Sequence, residues 1–214
     1  MALEIIPINP SKPINVRELA LIFGSKSKAQ EIIYLLREAK KVVRQGFYGP
    51  ELSAVETFCQ KNNLFLAKSK FKILLADETS FSDKGIKISS DDPRSGMYFV
   101  YISKNEREGW LASYYELIND TDELGRLLGY PNCCIDFFVK RFTPDNPNLQ
   151  LKPTNMFTNL TKRSQDAVLI SHFPCSSECL QSINLGQKFL WIIAREDQQR
   201  SEELISLLSI PPSE

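Results

Sequence analysis

The hydrophobic and polar positions near the start of the chain follow a helical period. "NVRELALIFG" offers Asn15 as a polar N-cap, a short apolar face and Gly24 as a stop. A second pattern, "SKSKAQEIIYLLREAKKVVRQG", repeats apolar residues at helical spacing until Gly46 closes it. "GPELSAVETFCQKNNL" predicts a third helix with Pro50 in its first turn. The pattern therefore predicts a helical N-terminal region over residues 1–64.

After residue 64 the pattern changes to short segments of strand length. "LFLAKS" and "KFKILLAD" are apolar runs, and "KGIKISS" alternates with a period of two. "DDPRSG" is a turn cluster, and the following "MYFVYIS" is rich in aromatic and β-branched residues. These segments predict a small, mostly antiparallel sheet of three or four strands.

Helical patterns return after Lys104. "NEREGWLASYYELIND" begins with Asn105 as its cap, and "TDELGRLLGYP" ends at a glycine and a proline. "NCCIDFFVKRF" then predicts a new helix with Asn132 as its cap. A loop rich in proline and asparagine follows, and we expect the last long helix from about Ser176 to Arg195, with a short helix after it.

These elements predict the α+β class, with N-terminal helices, a small antiparallel sheet and a C-terminal helical half. A chain of 214 residues is long enough for one core, or for a core and a small additional module. We predict an N-terminal helical region over residues 1–64 and an α+β domain over residues 65–214, or one continuous domain in place of the two.

Composition limits the partners and the cellular location that we expect. Lys and Arg together number 26, as do Asp and Glu, so no net field attracts nucleic acid or an anionic membrane. No segment approaches the roughly 20 apolar residues that span a bilayer, and "MALEIIPINP" lacks the basic start of a secretory signal. Five cysteines without such a signal are typical of a reducing compartment. The expected location is therefore the cytoplasm, with no membrane partner.

The residues that suggest chemistry are concentrated between positions 133 and 179. This segment contains four of the five cysteines and the only histidine. They occur in two similar halves, "YPNCC" and "HFPCSSEC", in which a proline precedes cysteines at the start of a predicted helix. The N-terminus of a helix favours a thiolate over a thiol, and the thiolate is the form that binds metal. The predicted metal ligands are Cys133, Cys134, His172, Cys175 and Cys179.

Two spacings limit how these ligands can be arranged. Cys175 and Cys179 would lie one turn apart on one face of the last long helix, with His172 in the loop before it. Neighbouring residues on a helix point about 100° apart, so we expect one of Cys133 and Cys134 to face the site and the other to pack beside it. Zinc or an iron–sulfur cluster would suit this set of ligands.

The cysteine pattern also permits functions without a metal. Cys175 and Cys179 could exchange disulfides with Cys133 and Cys134 in a thiol–disulfide redox protein. Any single cysteine could instead be a small core residue, and this interpretation is strongest for Cys59.

Other polar residues suggest further hypotheses about activity and partners. If the site is catalytic, Asp136 and Glu178 are the candidates for acid–base chemistry, although acids in a first helical turn also satisfy the helix dipole. The first two predicted helices have the spacing of a helix-turn-helix, which suggests a nucleic-acid-binding regulator as a further alternative. Residues 1–50 contain eight basic and four acidic residues, a small excess for such a function. A small molecule or another protein is the remaining class of partner.

The two cysteine segments carry a family resemblance. "LGRLLGYPNCCIDFF" and "SHFPCSSECLQSINLGQKF" contain the paired motifs GYPxCC and HxPCSxxCxxS. This pair resembles the uncharacterised prokaryotic family known as domain of unknown function 483. The resemblance extends over about residues 97–195, and it implies a shared site without implying its chemistry. The residues that match the two motifs are Gly129, Tyr130, Pro131, Cys133, Cys134, His172, Pro174, Cys175, Ser176, Cys179 and Ser182.

Overall fold

A computed structural model describes residues 8–9, 12–75 and 85–210. The first half of this part of the chain contains both helices and strands, and helices alone follow in the second half, which confirms the predicted α+β class. The elements are α1 (Val16–Phe23), α2 (Lys26–Leu36), β1 (Val42–Phe47), α3 (Gly49–Lys61), β2 (Phe65–Lys68), β3 (Phe71–Leu75), β4 (Gly85–Ser89), β5 (Tyr98–Ser103), α4 (Glu106–Leu117), α5 (Thr121–Leu127), α6 (Asn132–Arg141), α7 (Leu180–Glu196) and α8 (Gln198–Leu208). Two 3-10 turns, Met156–Thr158 and Arg163–Gln165, lie between α6 and α7.

The strands form two small antiparallel sheets in the described part of the chain. The larger sheet has three strands in the order β1-β5-β2, with Val42 and Phe65 both opposite Ser103. The smaller sheet pairs β3 with β4. A single bridge between Ile73 and Met97 connects β3 to the start of β5. The antiparallel arrangement agrees with the sequence prediction, although the strands divide between two sheets.

Two of the three helices that the sequence predicts from asparagine caps begin where expected. Asn15 Oδ1 accepts hydrogen bonds from the backbone N–H groups of Arg17 (2.8 Å) and Glu18 (3.1 Å) at the start of α1. The side chain of Asn105 accepts the N–H of Arg107 at 2.9 Å at the start of α4. Each bond satisfies a donor that a helix leaves unpaired, so these starts are determined locally.

The predicted second helix is wrong beyond Leu36. Glu38 adopts a left-handed backbone with a φ of 59°, which ends the helical path. Residues Val42–Phe47 then form β1 and pair with the central strand β5. Val42 and Val43 are both fully buried, on opposite faces of the sheet. Two adjacent valines followed by Arg44 and Gln45 do not show the alternation of a half-buried strand, and they continue the apolar spacing of α2, so the segment resembles the end of a helix.

The hydrophobic core joins the beginning of the chain to its end. One face of the larger sheet packs with α1, α2 and α3 and with the last two helices, and the other face packs with α4 and α5. The ring of Tyr34 in α2 stacks on Phe189 in α7 with centroids 4.1 Å apart. Arg37 donates to both carboxylate oxygens of Glu196 at 2.7 Å. The division at residues 64 and 65 stays a prediction, and the core extends across it.

Among residues 8–9, 12–75 and 85–210, no helix combines the length and the apolar character that crossing a bilayer requires.

Candidate metal centre

Helix α6 brings Cys133 and Cys134 to its N-terminus. The helix begins at Asn132 itself, so the prediction that Asn132 caps it is wrong. Pro131 occupies the cap position, and its carbonyl accepts the N–H of Cys134 at 2.9 Å and that of Ile135 at 3.0 Å. Its ring fixes φ at −61°, so it can begin a helix without a side-chain hydrogen bond. Both cysteines therefore lie in the first turn of α6.

The loop before α7 carries Cys175 and Cys179, and here the predicted helix is too long. α7 begins at Leu180 and not at Ser176. The two cysteines therefore lie on either side of a turn, and the prediction that they share one helical face is wrong. Cys179 caps α7, and its carbonyl accepts the N–H of Ile183 at 2.9 Å.

The cysteine loop is held by the segment that contains the first 3-10 turn. The carbonyl of Ser177 accepts the hydroxyl of Thr158 at 2.6 Å, and the hydroxyl of Ser177 accepts the N–H of Thr154 at 2.7 Å. Neither Ser176 nor Ser177 belongs to α7, because these contacts hold the loop outside the helix. The position of Cys175 thus depends on tertiary contacts about twenty residues earlier in the chain.

We expect Gly186→Ala to loosen this support. A Cβ on Gly186 would lie 2.8 Å from the carbonyl oxygen of Phe157 in the 3-10 turn, so α7 would have to move away from it. The free energy of unfolding should fall by about 1–3 kcal/mol. Gly49→Ala is the matched control, since a Cβ on Gly49 meets no atom of the described part of the chain within 4 Å. Equal denaturation midpoints for the two variants would contradict the close contact.

The sulfur atoms of four cysteines form one compact group. The Sγ atom of Cys133 lies 3.9 Å from that of Cys134 and 3.6 Å from that of Cys179. The Sγ atoms of Cys134 and Cys179 are 3.7 Å apart. With Cys175 included, no two of the four sulfurs are more than 4.8 Å apart. All four cysteines are free thiols, so the group is not the product of a disulfide.

Cys133 and Cys134 both contribute to this group, which corrects the expectation that only one of them faces the site. Side chains on a helix tilt toward its N-terminus. Two neighbours in the first turn can therefore reach a point beyond the end of the helix, although they diverge when viewed along its axis. The angle of about 100° between neighbouring side chains separates them at a site beside a helix. This group instead lies at the N-termini of α6 and α7.

The four sulfurs differ in their exposure to solvent. Cys134 and Cys179 are buried, whereas Cys133 and Cys175 are half-buried. The backbone N–H of Cys175 donates to the Sγ of Cys134 at 3.3 Å. The group thus has an inner pair of sulfurs that the protein surrounds and an outer pair near the surface.

The electrostatic environment of the sulfurs is uneven. Burial raises the pKa of Cys134. The pKa of Cys175 is raised to about 11 by burial and by the hydrogen bonding of its own S–H group to neighbouring sulfurs. Burial also opposes ionisation of Cys179, but hydrogen bonds to its sulfur from Ser182 in the first turn of α7 and from the neighbouring thiols of Cys133 and Cys175 lower its pKa to about 7. Cys179 is therefore the sulfur on which a thiolate is best stabilised before any cation arrives.

His172 approaches the sulfurs through an intermediate hydroxyl. Its Nε2 lies 2.9 Å from the Oγ of Ser182, and that Oγ lies 3.2 Å from the Sγ of Cys134. The imidazole is buried, and its Nδ1 has no hydrogen-bond partner among the residues that the structure describes. Burial, with a contribution from Lys40, lowers the pKa of His172 to about 3, so the ring is neutral. His172 as a direct ligand stays a prediction, and the four-sulfur group does not include it.

The surroundings of His172 connect the site to the N-terminal part of the chain. The ring of Tyr130 lies against the imidazole, with ring centroids 5.0 Å apart. The hydroxyl of Tyr130 is 3.4 Å from the Oγ of Ser171, which also accepts from Lys40 Nζ at 3.0 Å. Lys40 forms a buried ion pair with Glu31 of α2. A polar chain therefore runs from α2 to the residues beside the sulfurs.

The two acids suggested for acid–base chemistry lie at the surface. Asp136 is exposed on α6, and Glu178 is exposed in the cysteine loop. The carboxylate of Glu178 accepts a hydrogen bond from the hydroxyl of Thr154, so it helps to hold the loop. Catalytic roles for the two acids stay predictions.

Ser182 is the site residue that reasoning from single residues missed. It is fully buried in the first turn of α7 and contacts both His172 and Cys134. The available signal was its place at the end of the motif HxPCSxxCxxS, three residues after Cys179. That spacing places its hydroxyl one helical turn from the capping cysteine.

Comparison with known proteins finds one family model that matches the part of the chain containing this site. No curated protein and no solved structure matches the chain. The family match begins and ends somewhat later than the range of about 97–195 that the motifs suggested, and it includes the four clustered cysteines, His172 and Ser182. Residues 111–209 match the model of the family described as Protein of unknown function (DUF483), which confirms the predicted resemblance.

Proposed function

We propose that this protein binds one zinc ion through the thiolates of Cys133, Cys134, Cys175 and Cys179. The observation that supports the proposal most is the separation of the sulfurs. A tetrahedral zinc ion with Zn–S bonds of about 2.3 Å keeps its sulfurs about 3.8 Å apart. The three measured separations among Cys133, Cys134 and Cys179 are 3.6, 3.7 and 3.9 Å.

The same separations favour a single ion over an iron–sulfur cluster. The four thiolates that hold a cluster are shared among several iron atoms, so they must stand farther apart than the ligands of one ion. Here every sulfur lies within 4.8 Å of every other. A tetrahedral set of four sulfurs is typical of zinc, which is the ion we propose.

The charge of such a site is also accommodated. Four thiolates around a divalent cation leave an excess of two negative charges. The N-termini of α6 and α7 both lie at the sulfur group, and each presents the positive end of a helix dipole. The N–H of Cys175 donates to the Sγ of Cys134 and adds a direct hydrogen bond to one thiolate.

A set of four protein ligands supports a structural role for the ion. A zinc ion held by four cysteines has no position for water or substrate, whereas catalytic zinc keeps one open. The ion would join the start of α6 to the loop before α7. Between them lies the segment 142–174, whose regular structure is limited to two 3-10 turns and one isolated bridge. Closing this long segment would stabilise a region that lacks helices and strands of its own.

We expect anaerobically purified protein to contain one zinc per chain. Elemental analysis gives the stoichiometry, and substitution of cobalt should produce the intense thiolate-to-metal absorption of a tetrahedral sulfur site. Iron together with inorganic sulfide would contradict the single-ion proposal. Purified protein that contains no metal and takes up neither zinc nor cobalt, while all its thiols react freely, would also contradict it.

The second candidate function is thiol–disulfide exchange, and one observation favours it. The pKa of Cys179 is lowered to about 7, and its sulfur lies within 3.7 Å of those of Cys133 and Cys134. An oxidant such as a disulfide would accept two electrons while two of these thiols lose their protons and join. A metal-free protein that cycles reversibly with a glutathione buffer would support this candidate. A zinc-loaded protein whose thiols resist that buffer would contradict it.

The nucleic-acid alternative gains no support from the fold. No residue of α2, the second helix of the predicted helix-turn-helix, is exposed, so it has no free face to enter a groove. The alternative stays a prediction that a salt-dependent binding measurement would test.

A further inference from the structure

We propose that Ser182 is a positioning residue for the metal ligands, and that His172 directs its hydroxyl toward the sulfur of Cys134. This inference rests on the proposed zinc site and deepens it by assigning the groups that orient the thiolates. It gives the chain's only histidine a role that does not require direct contact with the metal.

The geometry forms a continuous line from imidazole to sulfur. His172 Nε2 and Ser182 Oγ are 2.9 Å apart, and Ser182 Oγ and Cys134 Sγ are 3.2 Å apart. Both distances are within hydrogen-bond range for these atoms. Ser182 is fully buried and His172 nearly so, and Cys134 is the most buried of the four clustered cysteines.

Counting donors assigns the direction of each hydrogen bond. The Ser182 hydroxyl has one proton to donate, and it can accept from His172 at the same time. If Nε2 carries the imidazole proton, it donates to Ser182, the hydroxyl donates to Cys134, and the unpartnered Nδ1 is a bare acceptor. In the other tautomer the hydroxyl proton is used by Nε2, and Nδ1–H is left as a buried donor without a partner. Orphaned buried N–H donors are the rarer and more costly case, so the first arrangement is favoured.

This arrangement directs a proton donor at a metal-binding thiolate. A donated hydrogen bond withdraws electron density from the sulfur and fixes its direction relative to the ion. Groups that orient metal ligands in this way typically change metal affinity by about 10–100-fold when they are removed. Ser182 and His172 are buried, so water cannot readily replace the missing hydroxyl in a variant.

His172 is itself held in place by its neighbours. The ring of Tyr130 packs against the imidazole, and Ser182 is fixed within the first turn of α7. His172 therefore acts on the sulfur through Ser182, and loss of either residue should weaken the same hydrogen bond. The two residues should behave as one unit, with non-additive effects when both are replaced.

The test compares Ser182→Ala with Ser182→Thr in the full chain. Zinc affinity is measured by competition with a chromophoric chelator, and the cobalt-substituted proteins supply the thiolate-to-metal absorption band. For Ser182→Ala we expect an affinity about 10–100-fold weaker and a band at lower energy, because the thiolate becomes more electron-rich. Ser182→Thr keeps the hydroxyl and should retain the wild-type band. Ser201→Ala removes another buried serine from an early helical turn and should change neither property.

A second pair of variants tests the role of the histidine. His172→Phe keeps a ring beside Tyr130 but removes the donor, and it should shift the cobalt band in the same direction as Ser182→Ala. His172→Gln places an amide N–H near the position of Nε2 and should restore the band. A merely structural role for His172 would lower stability in both variants without separating their spectra.

The outcomes separate this inference from the zinc proposal. If wild-type protein and Ser182→Ala bind zinc equally well and give the same cobalt spectrum, the positioning role is wrong and the four-cysteine site stands. If wild-type protein binds neither zinc nor cobalt, the zinc proposal itself fails, and the positioning role fails with it.

Discussion

Cys134→Ser is expected to abolish stoichiometric zinc binding and to remove the stability that the ion supplies. Serine keeps the size of the side chain but replaces a soft thiolate with a hydroxyl that remains protonated. An ion that binds only the folded state contributes about 4 kcal/mol when its free concentration is about a thousand times its Kd. We therefore expect Cys134→Ser to unfold at the same temperature with and without a chelator. The wild-type protein should lose several degrees on chelation.

Cys59→Ser is the matched control for this substitution. Cys59 is as buried as Cys134, but it lies in α3 and is the one cysteine outside the four-sulfur group. A buried hydroxyl in place of its thiol should lower stability by about 1–3 kcal/mol. Zinc stoichiometry and sensitivity to chelator should remain those of the wild type. If both variants respond to chelator as the wild type does, the ion does not stabilise this fold through Cys134.

The features that the sequence predicts well are those with local causes. Asn15 and Asn105 begin α1 and α4 because each side chain bonds to N–H groups within three residues. Gly24 ends α1 because it adopts the left-handed conformation with a φ of 80°. Such signals act within a few residues and do not depend on the rest of the fold. They can therefore be read from the local sequence alone.

The errors occur where distant contacts determine the local structure. β1 resembles the end of a helix because Val42 and Val43 are buried on opposite faces of a sheet. The start of α7 moves from Ser176 to Leu180 because Thr154 and Thr158 bond to the turn before it. In both cases the contacting residues lie too far away in the sequence to affect the local hydrophobic periodicity from which the elements are predicted.

The candidate metal site shows the same division between residue identity and geometry. The clustering of the four cysteines and their places near helix starts are visible in the sequence alone. Their shared approach to one point depends on where α6 and α7 meet, so the separate roles expected for Cys133 and Cys134 were wrong. The sequence also places His172 near the site without distinguishing a ligand from a residue that acts through Ser182.

The buried ion pair between Glu31 and Lys40 should be the most costly charge interaction to break near the site. The Lys40 side chain is 3% exposed and that of Glu31 is 14% exposed, so neither charge is well hydrated. Removing one partner of a buried pair leaves an uncompensated charge and typically costs about 3–5 kcal/mol. We expect Glu31→Gln to lower the free energy of unfolding by about 3 kcal/mol, because the amide oxygen of glutamine still accepts one hydrogen bond from Lys40.

Glu38→Gln removes the same charge from an exposed ion pair and is the matched control. Glu38 pairs with Lys104 at 3.0 Å, but their side chains are 78% and 42% exposed. Such pairs contribute about 0–1 kcal/mol, since water and salt screen both charges. Urea denaturation of the two variants should therefore separate them by about 2 kcal/mol or more. Equal losses would mean that solvent compensates Lys40 as fully as it compensates a surface lysine, and that the polar chain from α2 to Ser171 is not a buried one.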